Sequence, residues 1–319
     1  MSLDGVAELI QRFEKIKERH PGAIPYSASF GRSKKPHLVI SAIIHGDEVG
    51  TLPALVSLME ELDVGKFEFR GKLSFVLGNI PAARINQRYI DRDLNRSFGL
   101  KEVKLDEEKR ALELEDLISD ADLYVDLHQT IESSLDGFHI TAFHKESYEW
   151  ARIVGRPGKF VTHDPDEGFS TAGICSDEFA QNRAIPSMSI EFFQKGFSKE
   201  AEISTKEFLA NLLNQASLHL GKPASEIKSL SKEKNSLEVF WIMYREKLQS
   251  REDRLVENMS NLQEVKAGEV LGVRSDNLSI VAPETGLILF PKYPHKLHPA
   301  ATLPESLFVL AQAREDLDP

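Results

Sequence analysis

A run from Leu38 to Ile44, apolar except for Ser41, stops abruptly at His45, Gly46, Asp47 and Glu48. The run has the length and β-branched content of a buried strand, so the chain must fold around a covered sheet. Gly46 is expected to turn the backbone sharply, which would bring His45 and Glu48 towards one point. A histidine and a carboxylate supply two of the three protein ligands of a catalytic zinc site. The alternative is a polar strand end followed by a helix N-terminus, where acidic residues are favoured.

The composition is that of an ordinary globular protein, with 319 residues, 41% of them hydrophobic and 28% charged. This length accommodates one large α/β domain and a smaller second domain. A formal net charge of −11 argues against a nucleic-acid partner, because phosphate binding requires a basic surface. No run of about 18 apolar residues is present, so no membrane partner is expected.

The compartment is predicted from the cysteine content and the N-terminal segment. Cys175 is the only cysteine, which excludes an internal disulfide and favours the reducing cytoplasm. We interpret it as a small packed residue rather than a reactive thiol. Residues 6–13 have the pattern of an amphipathic helix rather than of a signal peptide. The sequence leaves the oligomeric state open.

Strands alternate with helices through the first two thirds of the chain, which favours an α/β sheet with helices on both faces. The predicted strands are 38–44, 72–78, 123–128, 138–143 and 185–193. The predicted helices include 48–62, 105–120, 176–183 and 199–220. The glycine-containing stretch 155–173 is expected to be a long surface loop.

The sequence pattern changes after residues 221–225, which we interpret as a linker. Short apolar runs punctuated by glycine and proline follow, at 265–272 and 279–290, and they indicate a small β-rich part. The predicted domains are therefore 1–225, carrying the catalytic α/β fold, and 226–319, carrying the β-rich fold.

A second histidine completes a ligand set. His128 is expected at the C-terminal end of its strand, as His45 is, and ligand sites of parallel sheets form outside those ends. His45, Glu48 and His128 would together make a His₂Glu site with an open fourth position. Asp126 lies on the same strand face as His128 and is a candidate to orient it. In isolation His128 would be interpreted as a half-buried core histidine.

Arginines recur at intervals of four in the polar stretch 84–98, at Arg84, Arg88, Arg92 and Arg96. One interpretation is a basic helix face paired with Asp91 and Asp93, which contributes only tenths of a kcal/mol per pair. The other is a substrate site, because the guanidinium of Arg96 beside the Asn95 amide is suited to bind a carboxylate in bidentate fashion.

Glu191 stands inside the predicted strand 185–193. A buried carboxylate without a partner is costly, so Glu191 must lie at a strand end, be paired or have a functional role. Beside a metal site, such a carboxylate is a candidate general base.

Four motifs in this order resemble the succinylglutamate desuccinylase/aspartoacylase family, relatives of the zinc carboxypeptidases. They are His-Gly-Asp-Glu at 45–48, Arg-Tyr-Ile-Asp-Arg-Asp-Leu-Asn-Arg at 88–96, Asp-Leu-His at 126–128 and Ser-Ile-Glu at 189–191. The resemblance covers residues 36–220 and extends more loosely through the tail to Leu289-Phe290-Pro291.

The resemblance implies one zinc ion per chain, bound by His45, Glu48 and His128. It further implies that Arg88 polarises the scissile carbonyl, that Asn95 and Arg96 bind the α-carboxylate, and that Glu191 activates the attacking water. The implied fold is a carboxypeptidase-like, mixed and mostly parallel sheet flanked by helices, with a β-rich C-terminal domain that could overhang the cleft.

The implied substrate is a small anionic N-acyl amino acid, with N-succinylglutamate placed ahead of N-acetylaspartate. Two alternatives remain: a zinc carboxypeptidase acting on small peptides, and a metal-binding protein without catalytic activity. Arg88 and Glu191 argue against the second, because a storage site needs neither.

The match has two gaps. The family has a further arginine, upstream of the catalytic glutamate, that binds the substrate's side-chain carboxylate, and only Arg183 is available in that region. The family also has an aromatic residue in its tail, for which the candidates here are Tyr293 and Tyr244.

Overall fold

The computed structural model describes residues 3–233, 237–297 and 303–314. Its strands are β1 (Ser27–Phe30), β2 (His37–Ala42), β3 (Lys72–Leu77), β4 (Leu123–Thr130), β5 (Phe138–Ala142), β6 (Lys159–His163), β7 (Ser187–Gln194), β8 (Glu238–Lys247), β9 (Arg254–Leu255), β10 (Gln263–Val265), β11 (Val270–Val273), β12 (Ser279–Val281), β13 (Gly286–Leu289) and β14 (Ser306–Ala313). Its helices are α1 (Leu3–Arg19), α2 (Leu52–Asp63), α3 (Ile80–Arg84), α4 (Asp106–Ser119), α5 (Lys145–Val154), α6 (Ser176–Gln181), α7 (Lys199–His219) and α8 (Ala224–Glu233). Short 3₁₀ turns occur at Val49–Thr51, Leu94–Arg96 and Pro294–Lys296.

Within these residues one mixed sheet has the strand order β1-β3-β2-β4-β7-β5-β6-β8-β14-β13-β10. Its centre, β3-β2-β4-β7, is parallel. β5 is antiparallel to β7, and β6 and β8 follow β5 in parallel. A second, small sheet has the order β12-β11-β9. The predicted fold class, a mixed sheet with a parallel centre and a β-rich C-terminal part, is confirmed.

Helices cover both faces of the parallel centre of the sheet. Alternate residues of β2 point to opposite faces and pack against different helices. Leu38 and Ile40 pack with residues of α1, α2 and α7. Val39, between them, packs with residues of α4 and α6. This double burial explains why Leu38, Val39 and Ile40 are consecutive apolar residues rather than residues that alternate with polar ones.

Two local expectations are wrong, and one of two open interpretations is excluded. The stretch 155–173 is not one long loop, because it contains β6. β4 continues to Thr130, so His128 lies inside the strand rather than at its last residue. The arginine-rich stretch is not a helix face: apart from Arg84 at the end of α3 and the turn at Leu94–Arg96, it is irregular.

The β-rich tail continues the main sheet. β8 pairs in parallel with β6, where Phe160 is opposite Val239 and Val161 is opposite Phe240. β14, β13 and β10 then extend the sheet in antiparallel fashion. The predicted linker, 221–225, leads directly into α8. The division of the chain into domains at residue 225 stays a prediction.

Candidate functional site

The turn from His45 to Glu48 follows β2 after two more residues. It is closed by a hydrogen bond from the Glu48 N–H to the His45 carbonyl, at 3.1 Å. The chain turns at Gly46 as expected, although Gly46 does not adopt a positive φ. A Cβ on Gly46 would lie 2.4 Å from the backbone nitrogen of Ala83, so glycine is required because α3 packs directly against the turn.

The side chains of His45, Glu48 and His128 converge at this edge of the sheet. Glu48 Oε1 lies 2.7 Å from His45 Nδ1, and Glu48 Oε2 lies 2.8 Å from His128 Nδ1. All three residues are buried, and one ligand atom of each lies within 4.8 Å of the others. The structure therefore brings the predicted ligands together in a group that could hold a metal ion.

Asp126 orients His128, as its place on the strand predicted. Its Oδ2 lies 2.8 Å from His128 Nε2, which puts a proton on Nε2 and turns the Nδ1 lone pair towards the cluster. Ser41 donates to Asp126 Oδ1 at 2.7 Å, and Ser176 donates to Oδ2 at 2.5 Å. A neutral imidazole held in this tautomer is the form that ligates a metal, so the donor set fits zinc.

The cluster is strongly charged in the absence of a metal. Burial opposes ionisation of Glu48, but the charges of His45 and His128 outweigh it and hold the pKa of this carboxyl well below its usual range. Burial likewise lowers the pKa of His128, yet the Asp126 and Glu48 carboxylates raise it well above the ordinary value. A metal that binds here must therefore displace protons from the histidines.

Arg88 reaches the cluster from the irregular stretch after α3. Its Nη2 lies 2.7 Å from His45 Nε2, and its Nε donates to Asp93 Oδ2 at 3.1 Å. Asp93 Oδ1 also lies 3.2 Å from His45 Nε2. His45 Nε2 thus accepts from the guanidinium in one tautomer and donates to Asp93 in the other. Asp93 was not predicted as a site residue, although it stands in the middle of the 88–96 motif.

Asn95 and Arg96 lie in the 3₁₀ turn that follows Asp93. Asn95 is buried, and its side-chain oxygen accepts a hydrogen bond of 2.9 Å from the Ser176 N–H. That bond fixes the amide and leaves its NH₂ group available. Arg96 is partly buried, and among the described residues no carboxylate lies within 4.0 Å of its guanidinium.

Glu191 lies in β7 directly opposite His128 of β4. Its Oε2 is buried and has no hydrogen-bond partner among the described residues. Burial, followed by the negative charge of Glu48, raises the pKa of Glu191 to about 7. A carboxyl group with this pKa can accept or donate a proton near neutral pH.

The candidates for the two gaps in the motif match lie outside the cluster. Arg183 is exposed, follows α6, and stacks over the ring of Phe179, 3.5 Å from its centroid. The Tyr293 hydroxyl bonds to the backbone of Val256 and Met259. The Tyr244 hydroxyl donates to Glu246 at 2.6 Å.

A polar layer beneath the cluster was also missed from the sequence. Gln129 donates its backbone N–H to Glu48 Oε2 at 3.2 Å and accepts from the Gly50 N–H at 2.6 Å. Lys195 donates to Asp47 Oδ2 at 2.5 Å. The sequence feature that could have indicated Gln129 is its position directly after His128, near the end of β4.

A family model and solved structures of other proteins match this chain. The model of the succinylglutamate desuccinylase/aspartoacylase catalytic domain matches residues 34–214, which is more than half of the chain. The chain belongs to this family. The family consists of deacylases, so the chain is a hydrolase.

No helix in the described part of the chain is long and apolar enough to cross a membrane.

Two sequence relatives illustrate the extent of the match within the family. A succinylglutamate desuccinylase of Burkholderia lata is 23% identical over 293 residues, covering 84% of this chain and 78% of the relative. A succinylglutamate desuccinylase of Photorhabdus laumondii is 34% identical over 111 residues, covering 30% of this chain and 34% of the relative. The second match thus spans about a third of that relative's length.

Solved structures of family members share the fold. The succinylglutamate desuccinylase of Chromobacterium violaceum superposes with a TM-score of 0.68 at 18% identity, over 96% of this chain and 98% of that one. Murine aminoacylase 3 superposes with a TM-score of 0.63 at 16% identity, over 89% and 97% of the two chains. At these identities the likeness establishes the fold alone.

Proposed function

We propose that this chain is a zinc-dependent hydrolase that cleaves the amide bond of an N-acylated amino acid. An N-succinylglutamate-type substrate is favoured over an N-acetylaspartate type. The observation that carries the proposal is the place of Glu191, which lies opposite His128 in the sheet and whose buried Oε2 has no hydrogen-bond partner among the described residues. A cluster that only stored a metal would have no use for a free carboxyl group at this position.

His45, Glu48 and His128 would hold one zinc ion through the two Nδ1 atoms and the Glu48 carboxylate. When bound, zinc supplies Lewis acidity that lowers the pKa of a water molecule and polarises a carbonyl. Asp126 keeps the proton of His128 on Nε2, away from the ligand side. In the same way, Asp93 Oδ1 accepts a hydrogen bond from the Nε2–H of His45.

Glu191 carries out the proton transfers of the reaction. Its Oε2 takes a proton from the attacking water and returns it to the leaving amine, which must be protonated before it departs. Its buried Oε2 has no protein hydrogen-bond partner among the described residues, so this oxygen is free for both steps.

Arg88 and the Asn95–Arg96 pair act on the rest of the substrate. With His45 Nε2–H donating to Asp93, Nη2 of Arg88 is released towards the scissile carbonyl, whose oxygen becomes an oxyanion. The Asn95 amide and the Arg96 guanidinium then bind the α-carboxylate of the amino-acid half. The similarity to succinylglutamate desuccinylases supports an anionic substrate of this kind.

The test is a substrate panel. The chain, loaded with zinc and separately stripped with a chelator, would be assayed on N-succinylglutamate, N-acetylaspartate, N-acetylated neutral amino acids and dipeptides. We expect turnover of N-acyl amino acids that disappears on chelation and returns with zinc. Faster turnover of dipeptides than of any N-acyl amino acid would identify a carboxypeptidase instead, and turnover unaffected by chelation would refute the metal mechanism.

A further inference from the structure

Ser176, the first residue of α6, donates hydrogen bonds to two different side chains of the candidate site. Its backbone N–H donates to Asn95 Oδ1 at 2.9 Å, and its hydroxyl donates to Asp126 Oδ2 at 2.5 Å. Asn95 belongs to the pair proposed to bind the substrate carboxylate, and Asp126 orients the proposed metal ligand His128. One residue on a separate helix therefore connects the two halves of the site.

The N–H that Ser176 gives to Asn95 is available because of its place in the helix. The first N–H groups of a helix have no carbonyl partner within that helix. Asn95 thus satisfies a backbone donor that α6 itself leaves free. Ser176 is 0% exposed and Asn95 is 7% exposed, so the bond between them is also shielded from water.

The hydroxyl of Ser176 completes the set of donors around Asp126. Asp126 is fully buried, and its Oδ1 accepts from Ser41 at 2.7 Å. Its Oδ2 accepts from the Ser176 hydroxyl and from His128 Nε2. A buried carboxylate is costly to ionise unless its oxygens are hydrogen-bonded. Without the Ser176 hydroxyl, Oδ2 would lose one of the two bonds that fix its position.

The first turn of α6 is attached to the sheet by contacts outside the site. The Asp177 carboxylate accepts from Thr141 of β5 at 2.9 Å, and the Asp177 carbonyl accepts from Ser187 of β7 at 3.1 Å. Phe179, one turn further on, is 1% exposed and packs in the core. These contacts hold Ser176 in a fixed place relative to the central strands, so its two bonds can position other side chains.

We propose that Ser176 is a positioning residue that sets the separation between the metal site and the pocket for the α-carboxylate of the substrate. Its hydroxyl holds Asp126, and thereby the imidazole of His128, while its N–H holds the amide of Asn95. This proposal rests on the proposed function, because it takes His128 as a metal ligand and Asn95 as a carboxylate ligand. Ser176 acts only through these side chains and takes no part in the chemical steps.

The Ser176→Ala variant tests the hydroxyl. It removes the donor to Asp126 but keeps the backbone N–H that holds Asn95. We expect the zinc dissociation constant, measured by competition with a chelator, to rise about 10-fold, at the lower end of the range seen when a partner of a metal ligand is lost. At saturating zinc, KM for the best substrate should stay within about twofold of the wild-type value, because the Asn95 bond remains.

A matched control separates this effect from a general loss of stability. Ser74→Ala removes an equally buried hydroxyl in β3, which bonds to Ser29 and His37 away from the site. It should lower the melting temperature of the metal-free protein and leave the zinc dissociation constant unchanged. Wild-type zinc affinity in Ser176→Ala, or an equal loss of affinity in Ser74→Ala, would overturn the role of the hydroxyl.

Hydrogen exchange tests the bond to Asn95 in the metal-free protein. The Ser176 amide has no partner within α6, so the Asn95 side chain should account for most of its protection. In Asn95→Ala we expect this amide to exchange about tenfold faster or more. The Phe179 amide, which bonds to the Cys175 carbonyl inside α6, should be unaffected. Unchanged exchange at Ser176, or an equal increase at both amides, would refute the positioning of Asn95.

These measurements distinguish failure of this proposal from failure of the proposed function. If zinc affinity and amide exchange change as expected but no N-acyl amino acid is cleaved, the positioning role stands and the proposed reaction fails. If hydrolysis is found but Ser176→Ala binds zinc as tightly as the wild type, the reaction stands and the positioning role is refuted. A wild-type chain that binds no zinc would refute both.

Discussion

Glu191 and His128 are direct register partners on the adjacent parallel strands β7 and β4. The backbone ladder therefore sets the distance between the proposed base and the proposed metal ligand, with no loop between them. Side chains held on rigid strands keep their geometry more closely than side chains on loops. Changes at these two positions should consequently affect chemistry or metal binding more than folding.

Replacing Glu191 by glutamine should leave a folded protein that retains its metal. The amide keeps the size of the side chain but cannot accept the proton, so turnover should fall about 10²- to 10⁴-fold. The melting temperature should stay the same or rise, because the buried carboxyl has no partner to lose. Turnover, zinc content and melting temperature would be measured on one preparation, with Glu202→Gln, an exposed change in α7, as the control. Wild-type turnover in a zinc-loaded variant would remove Glu191 from the mechanism.

Replacing His128 by alanine should abolish stoichiometric zinc binding. Only His45 and Glu48 would remain, and the Asp126 carboxylate would lose the imidazole it orients. Metal analysis after dialysis would test this, with His20→Ala as the control because His20 pairs with Asp63 outside the cluster. We expect one zinc per chain in the wild type and in the control. Full occupancy in His128→Ala would refute the ligand assignment.

Replacing Arg96 by lysine should raise KM for the best substrate while the fold persists. Lysine keeps the charge but not the planar fork that binds a carboxylate through two bonds. Loss of one charge-assisted bond corresponds to about 10-fold or more in kcat/KM. Steady-state kinetics would be compared with Arg84→Lys, a change of the same kind at an exposed residue. Equal kinetics for the two variants would assign Arg96 to the solvated surface.

His139 should make the fold sensitive to acid. It is 1% exposed, and burial lowers its pKa to about 4. Between pH 6.5 and 4 the unfolded chain binds a proton at this position that the folded chain does not, so stability falls as the pH falls. At pH 5 the loss due to His139 is about 2 kcal/mol.

The variant His139→Phe should remove that part of the acid sensitivity. Phenylalanine can lie against the rings of Phe160 and Phe208 and cannot titrate; it gives up the hydrogen bond of His139 Nε2 to the Arg156 carbonyl, but it does so at both pH values. Urea unfolding of the metal-free proteins at pH 7.5 and pH 5 would give the difference in free energy of unfolding. We expect the variant to lose less stability than the wild type on acidification. An equal loss in both would mean that His139 is protonated in the folded state.

Much of the candidate cluster was predictable because its members follow apolar runs. Parallel strands end at a common edge, so residues just after β2 and near the end of β4 had to meet there. These predictions needed only the order of the strands, not their detailed contacts. Glu191 was singled out because a carboxylate inside an apolar strand is costly, and its role was implied by the resemblance; its place opposite His128 required the structure.

β6 and the contacts of Ser176 were not predictable in the same way. β6 has only five residues, Lys159–His163, and the glycines and proline around it dominated the local pattern. Without β6, nothing in the sequence connected the tail to the sheet. The pairing of β6 with β8 and the bonds of Ser176 to Asn95 and Asp126 join segments 50 or more residues apart, which local patterns do not encode.

The parallel pairing of β6 with β8 also limits how the chain can be divided into fragments that fold. A chain ended near residue 225 would turn β6 into an edge strand, with the ladder groups that now bond to β8 unpaired. Phe160 and Val161, at 1% and 0% exposure, would lose the tail residues that cover them. An unpaired, apolar edge strand pairs with strands of other molecules. Such a fragment would therefore self-associate and would not be suitable for activity measurements. Residues 1–225 and the tail are thus expected to unfold in one cooperative transition and to be retained together in evolution.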